Sequence, residues 1–210
     1  MSDLPKTAPT MNRQVFRGAV LLAVLAACAL GTRTSLESEV GHHRHYLVLV
    51  HLLAFSSWFG CSVWVSFVSG LVMFRNLPRH VFGRLQSRLF PAYFQYSAVT
   101  VAVAILTAGA LGWRTNVLLV VMATVLLNLL FLEPETTRIM YKRHAVEKRL
   151  GTGHEVGQLK PDDPVKANDP ELRALSKKFG MLHGISSLTN LAALGFGCVW
   201  LNFCAAKIGN

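Results

Sequence analysis

Four long stretches of this chain contain no Asp, Glu, Lys or Arg: Tyr46 to Phe74, Leu89 to Trp113, Thr115 to Leu132, and Phe179 to Ala206. They are 29, 25, 18 and 28 residues long. A helix rises about 1.5 Å per residue and a hydrocarbon core is about 30 Å thick, so each stretch is long enough to span a bilayer. No water is available there to pair backbone N–H and C=O groups, and a continuous apolar run satisfies them internally as a helix. The expected fold class is all-α: a polytopic membrane protein, multi-pass, built as a four-helix transmembrane bundle.

With four spans in 210 residues, only one medium loop and short tails remain outside the membrane. A soluble catalytic domain has no room, and no catalytic residue, cofactor or metal is assigned. Charged residues make up 15% of the chain, against roughly 25% in soluble domains. The net charge of +10 sits in the segments that flank the spans, so the expected partners are membrane lipids with anionic head groups, not nucleic acid. Cys28, Cys61, Cys198 and Cys204 all lie in apolar stretches and form no CxxC pair, which reads as packing.

Lys and Arg fall unevenly on the alternating segments, 17 on one side of the membrane and 4 on the other. The positive-inside rule places the N-terminus, the loop between the first two spans and the loop between the last two in the cytosol. Upstream, residues Gly18 to Thr32 form an additional N-terminal apolar helix. It is either a signal peptide cut after Ala29 or a fifth span, and the two readings predict the same orientation for the rest. The chain thus divides into residues 1–45, a leader or signal anchor with an extracytosolic segment, and 46–207, the four-helix domain with a cytosolic loop at 133–179.

Between the first two spans, His80, Arg84 and Arg88 share one sector of a helical wheel and Val81, Phe82, Leu85 and Leu89 another, with Pro78 placed to start the helix. This predicts a cytosolic interfacial amphipathic helix over Asn76 to Phe90, with Arg75, Arg79, Arg84 and Arg88 among lipid head groups; an ordinary basic loop is the alternative. Arg114 and its neighbours leave room only for a tight hairpin between the second and third spans. The third span should run past Glu133 and Pro134 into a cytosolic helix, followed by a flexible linker from Gly151 to Asn168. Asp169 as N-cap and Pro170 as first helical residue then start the helix of the last span.

Polar side chains at membrane depth are costly and mark where chemistry or helix adhesion resides. His183, Ser187 and Asn190 share a face of the last span; Thr124 and Asn128 share a face of the third, with Glu133 at its inner end. A His183–Glu133 contact and an Asn128–Asn190 amide pair would join these helices, as interhelical hydrogen bonds or as a cytosol-facing site for a proton, metal or polar ligand. Ser62, Ser66, Ser69 and Gly70, with Ser56 and Gly60, form small-residue stripes suited to close helix packing. His51 and His183 lie at opposite depths, which excludes one haem between them. His42, His43 and His45 form an extracytosolic cluster, a weak metal signal.

The run His51-Leu52-Leu53, then Trp58, Gly60 and Trp64 to Gly70, then Phe74 to Gly83, resembles the transmembrane protein 205 family. So do Gln86 to Phe94, Leu132-Glu133-Pro134-Glu135-Thr136-Thr137, and His183 to Leu191. The resemblance extends from about Leu47 to Leu201 and omits the N-terminal leader and its histidines. It implies a four-helix membrane domain of the endomembrane system or cell surface, associated with vesicular trafficking and platinum-drug resistance. The residues matching its motifs are His51, Arg75, Pro78, Arg79, Glu133, Pro134, His183, Ser187 and Asn190.

The expected function is a non-enzymatic module in membrane organisation or trafficking. The alternative is a small transporter or channel for a metal ion or small solute. Four spans give one protomer little room for a pathway, so that reading favours a homo-oligomer.

Overall fold

The computed structural model describes residues 40–157 and 169–208. The apolar segment Gly18 to Thr32 and most of the Gly151 to Asn168 linker lie outside these residues. Among the described residues the secondary structure is helical, apart from an isolated antiparallel bridge between Pro78 and Val156.

Four rods are each long and apolar enough to cross a membrane. The first joins α1 (Val40–Trp64), a π-helical turn (Val65–Ser69) and α2 (Gly70–Asn76). It starts before Tyr46, so the described part of the extracytosolic segment belongs to the helix. The second rod is α3 (Arg79–Ala110). The third joins α4 (Asn116–Leu127), a second π-helical turn (Asn128–Leu132) and α5 (Glu133–Arg149). The fourth is α6 (Pro170–Ile208), 39 residues and, at about 1.5 Å per residue, far longer than a bilayer core. Its N-terminal turns therefore project beyond the membrane.

The ends are set by local chemistry. Leu172 N–H donates to Asp169 Oδ1 at 2.8 Å, which makes Asp169 the N-cap expected from sequence. Gly112 stands at φ +69 after α3, with Trp113 N–H on Ala108 O and Gly112 N–H on Gly109 O. Gly151 repeats the pattern after α5, at φ +68, through Thr152 to Glu147 O and Gly151 to Lys148 O. Both are Schellman ends, in which a residue without Cβ takes the left-handed turn that stops the helix. The first closes the tight hairpin between the second and third rods.

The region Asn76 to Phe90 differs from its expectation. The chain breaks only at Leu77 and Pro78, and α3 then runs without interruption through Pro91 into the second span. The amphipathic stretch is thus the first turns of a continuous rod, not a separate helix. Gly83 and Ser87 on its buried stripe face the third rod.

Burial follows lipid as the solvent. Leu53, Phe131 and Leu188 are 61%, 66% and 68% exposed, a pattern that would be costly in water and is free in hydrocarbon. The opposite end of the bundle from the basic loops is tightly packed around Trp58, Val101, Ile105, Leu118, Val121 and Trp200. A smaller cluster of Tyr93, Phe94 and Leu129 lies toward the basic end, and below it the rods part.

Candidate functional site

The parting rods enclose a cavity of about 770 Å³ that all four of them line. Both π-helical turns border it. A π-turn admits an extra residue and so rotates everything beyond it by about 100° relative to an unbroken α-helix. Val65–Ser69 contributes Val65, Ser66 and Phe67 to the wall, and Asn128–Leu132 directly precedes Glu133, where the third rod joins the lining.

Its wall is amphipathic. Phe67, Leu71, Phe74, Phe90 and Phe94 form the apolar part, and Phe67 and Leu71 are also exposed, so the cavity communicates with the lipid-facing surface. Toward the basic loops the lining becomes charged, with Arg79, Arg143, His144 and Glu147. Glu133, His183, Ser187 and Asn190 line it as well, with Asn190 beside Ser66 and Tyr93 at the end away from the basic loops. The polar residues singled out from sequence therefore share one cavity, with Asn128 buried behind it.

Their pairings are not all those expected. Asn128 and Asn190 do not bond each other. Asn128 Oδ1 accepts from Ser186 Oγ, and its Nδ2 donates to Thr124 O. Asn190 Nδ2 donates to Ser66 Oγ at 2.8 Å, and its Oδ1 lies 2.8 Å from the Tyr93 hydroxyl. Each amide thus has other partners, one set on the third and fourth rods and the other reaching the first and second. Asn190 links the fourth rod to the first and second; Ser62, 2.9 Å from the same Tyr93 hydroxyl, closes the network. Glu133 accepts from Thr137 Oγ1 at 3.0 Å. His183 stacks on Phe179, interplanar angle 3°, and the Arg143 guanidinium sits 4.6 Å over the other ring.

His51 has a different place, at the packed end. It is fully buried, and Trp200 Nε1–H donates to its Nε2 at 3.0 Å. An indole nitrogen only donates, so Nε2 carries a lone pair and the ring proton is on Nδ1. That proton faces Ala104 O at 3.1 Å and Thr107 Oγ1 at 3.0 Å. Trp113 packs edge-on against the same ring. His51 and His183 serve separate regions, in keeping with the exclusion of a shared haem.

Of the basic residues assigned to head groups, Arg75, Arg84 and Arg88 are exposed, while Arg79 turns inward. Its Nη2 bonds Glu155 Oε2 at 3.1 Å, and its Nε lies 3.5 Å from Glu147 Oε1. Glu147, 5% exposed at its side chain, also meets Arg143 Nε at 3.4 Å and His80 Nε2 at 2.9 Å. The loop after α5 covers this group. Its Glu155 and Gly153 carbonyls accept from Arg79 and His80 N–H, pairing two of the orphan donors at the start of α3. Burial opposes ionisation of Glu155, but N–H bonds, including one from Gly153, hold its carboxyl below the ordinary value.

Sequence reading overlooked His80, His144 and Glu147 as a group. Its only linear trace is His144 and Glu147 at i, i+3 on one helix face. Pro134 lies inside the continuous third rod directly after its π-helical turn, where it removes one backbone donor.

Fold and cavity together define a multi-pass α-helical membrane protein with a ligand-sized hollow in one half of its bundle. Residues 53–145 match the family model of a domain of unknown function (DUF4149). Transmembrane protein 205 of Danio rerio is 32% identical over 177 residues, covering 77% of this chain and 92% of that protein. No solved structure matches. The chain belongs to the transmembrane protein 205 family, as its motifs imply.

Proposed function

We propose that this chain is a non-enzymatic membrane-organisation module of the endomembrane system or cell surface, which acts by seating a membrane amphiphile between its four rods. The observation that carries this reading is the mixed lining of the cavity. Phe67, Leu71, Phe90 and Phe94 offer apolar surface and Arg79 and Arg143 offer cationic groups at the basic end, the two chemistries that a lipid tail and an anionic head require. A volume of about 770 Å³ is within the usual range of roughly 300–1,000 Å³ for ligand pockets. Exposed Arg84 and Arg88 would hold the same end against anionic head groups, at about 1 kcal/mol each.

The test is retention of a fluorescent single-chain phospholipid by the purified protein in mild detergent. One molecule per chain is expected, with retention abolished in Ser187→Trp, which fills the cavity, and weakened in Arg143→Gln. Equal retention by all three proteins would refute the reading.

A second reading, a small oligomeric transporter, is favoured by one observation: the cavity ends at the tightly packed half around Trp200 and His51. With the basic loops in the cytosol, that shape is inward-facing. Flux of a divalent metal into proteoliposomes, lost in both His183→Ala and Glu133→Gln with folding retained, would support transport. Absence of flux in the parent protein would contradict it.

A further inference from the structure

At the charged end of the cavity, two helices and a loop bring together His80, His144 and Glu147. One ring nitrogen of each histidine and one oxygen of the carboxylate lie within 4.8 Å of one another. Tetrahedral bonds of about 2.0–2.2 Å separate neighbouring ligand atoms by about 3.4 Å, so modest side-chain movement would close the three around one ion. From this geometry we infer that His80, His144 and Glu147 form a binding site for a divalent transition-metal ion of the zinc type, fastening α3 to α5 at the basic end of the bundle.

Four features support it. His144 is 9% exposed, and its Nε2 is buried with no hydrogen-bond partner among the described residues. A buried polar atom left unmatched normally costs stability and calls for an explanation, which an ion supplies. His80 Nε2 and Glu147 Oε2 already share a hydrogen bond of 2.9 Å, and an ion would take that bridging place. The other carboxylate oxygen, Oε1, faces Arg79 and Arg143, which hold Glu147 in orientation as outer partners do at metal sites. His154 stands at the rim, its ring centroid 5.8 Å from that of His80, as a further imidazole within reach.

The surroundings select the class of ion. Two guanidinium groups oppose any cation held by charge alone, which disfavours calcium and magnesium with their demand for several oxygen ligands. Imidazole nitrogen suits zinc, cobalt, nickel or copper. The backbone is shaped for the cluster as well. Gly153 stands at φ +96, and a Cβ there would lie 2.0 Å from His80 Nε2, so glycine alone lets the loop close over this ring. Gly83 does the same for His144, whose Nε2 would be 2.9 Å from an added Cβ.

The test uses the full chain in detergent with the affinity tag removed and His42, His43 and His45 replaced by Gln, so that only inner histidines report. Cobalt(II) is titrated and its visible absorption followed. One equivalent per chain should give the intense bands of a low-symmetry nitrogen and oxygen site, displaced by zinc(II). His80→Gln and His144→Gln should each weaken binding by more than about tenfold, beyond the lower bound for loss of an outer partner alone. Zinc should also raise the melting temperature of the parent protein and not that of a folded ligand variant. Should a variant fail to fold, the parent spectrum and stoichiometry decide alone. No chelator-resistant equivalent in the parent, or unchanged affinity in the variants, overturns the site and leaves His144 as a ring packed on His80. Ser187→Trp should bind cobalt normally, so failure of the amphiphile reading would leave this result untouched.

Discussion

Trp200 donates its indole N–H to His51 Nε2 at 3.0 Å across 149 positions of sequence, and this bond joins the fourth rod to the first at the sealed end of the bundle. Replacing His51 by Ala removes a fully buried ring, strands the indole donor and opens a void beside Trp113. A loss of about 3 kcal/mol or more is expected from void and unpaired donor together. Trp200→Phe deletes the same bond, leaves His51 Nε2 without its N–H donor and opens a smaller void, so about 2 kcal/mol is expected. Unfolding in mixed micelles measures both, and a larger loss for Trp200→Phe than for His51→Ala would contradict the assignment.

Glycines separate into two kinds along the rods. A Cβ at Gly83 would lie 2.6 Å from His144 Cε1 and 2.8 Å from Met140 Sδ, whereas one at Gly180 or Gly184 would meet nothing of the other rods within 4 Å among the described residues. Overpacking costs about 1–3 kcal/mol, and Ala gains about 1 kcal/mol over Gly in a helix. Gly83→Val should therefore destabilise clearly, with Gly83→Ala between neutral and about 2 kcal/mol worse. Gly180→Ala should be neutral or stabilising. Thermal melts of the three variants check the order.

The network around Asn190 should behave as interhelical adhesion. A double-mutant cycle between Ser66→Ala and Asn190→Ala should yield a coupling of about 0.6–1.7 kcal/mol, the range for hydrogen bonds within membrane bundles. Tyr93→Phe should lose a similar amount, since Ser62 accepts from that hydroxyl and keeps its own donor bond to Trp58 O at 2.8 Å. A coupling near zero would mean that the Ser66–Asn190 bond is absent in lipid.

The four rods, the hairpin around Arg114 and the Asp169 cap were legible in the chain because each depends on neighbours in sequence: absence of charge, a short interruption between two apolar runs, a capping carboxylate. Glu133, His183, Ser187 and Asn190 could be grouped by shared helix face and depth from spacing alone. Their partners could not, since the bonds cross between rods: Ser66 and Tyr93 lie 124 and 97 residues from Asn190. His80 and Glu147 escaped notice for another reason. They are 67 residues apart, and their meeting depends on how α3 and α5 cross. Arg79 looked like a head-group ligand and instead pairs inward with Glu155, because the loop after α5 folds back onto the start of α3.

The most direct measurement is an experimental density map of the protein in a nanodisc of native-like lipid. An elongated density beside Phe67, Leu71 and Phe90, ending in a compact feature near Arg143, is the expected result. A cavity closed by inward collapse of Phe179 and Phe90, or filled by water alone, would contradict a bundle built to hold an amphiphile.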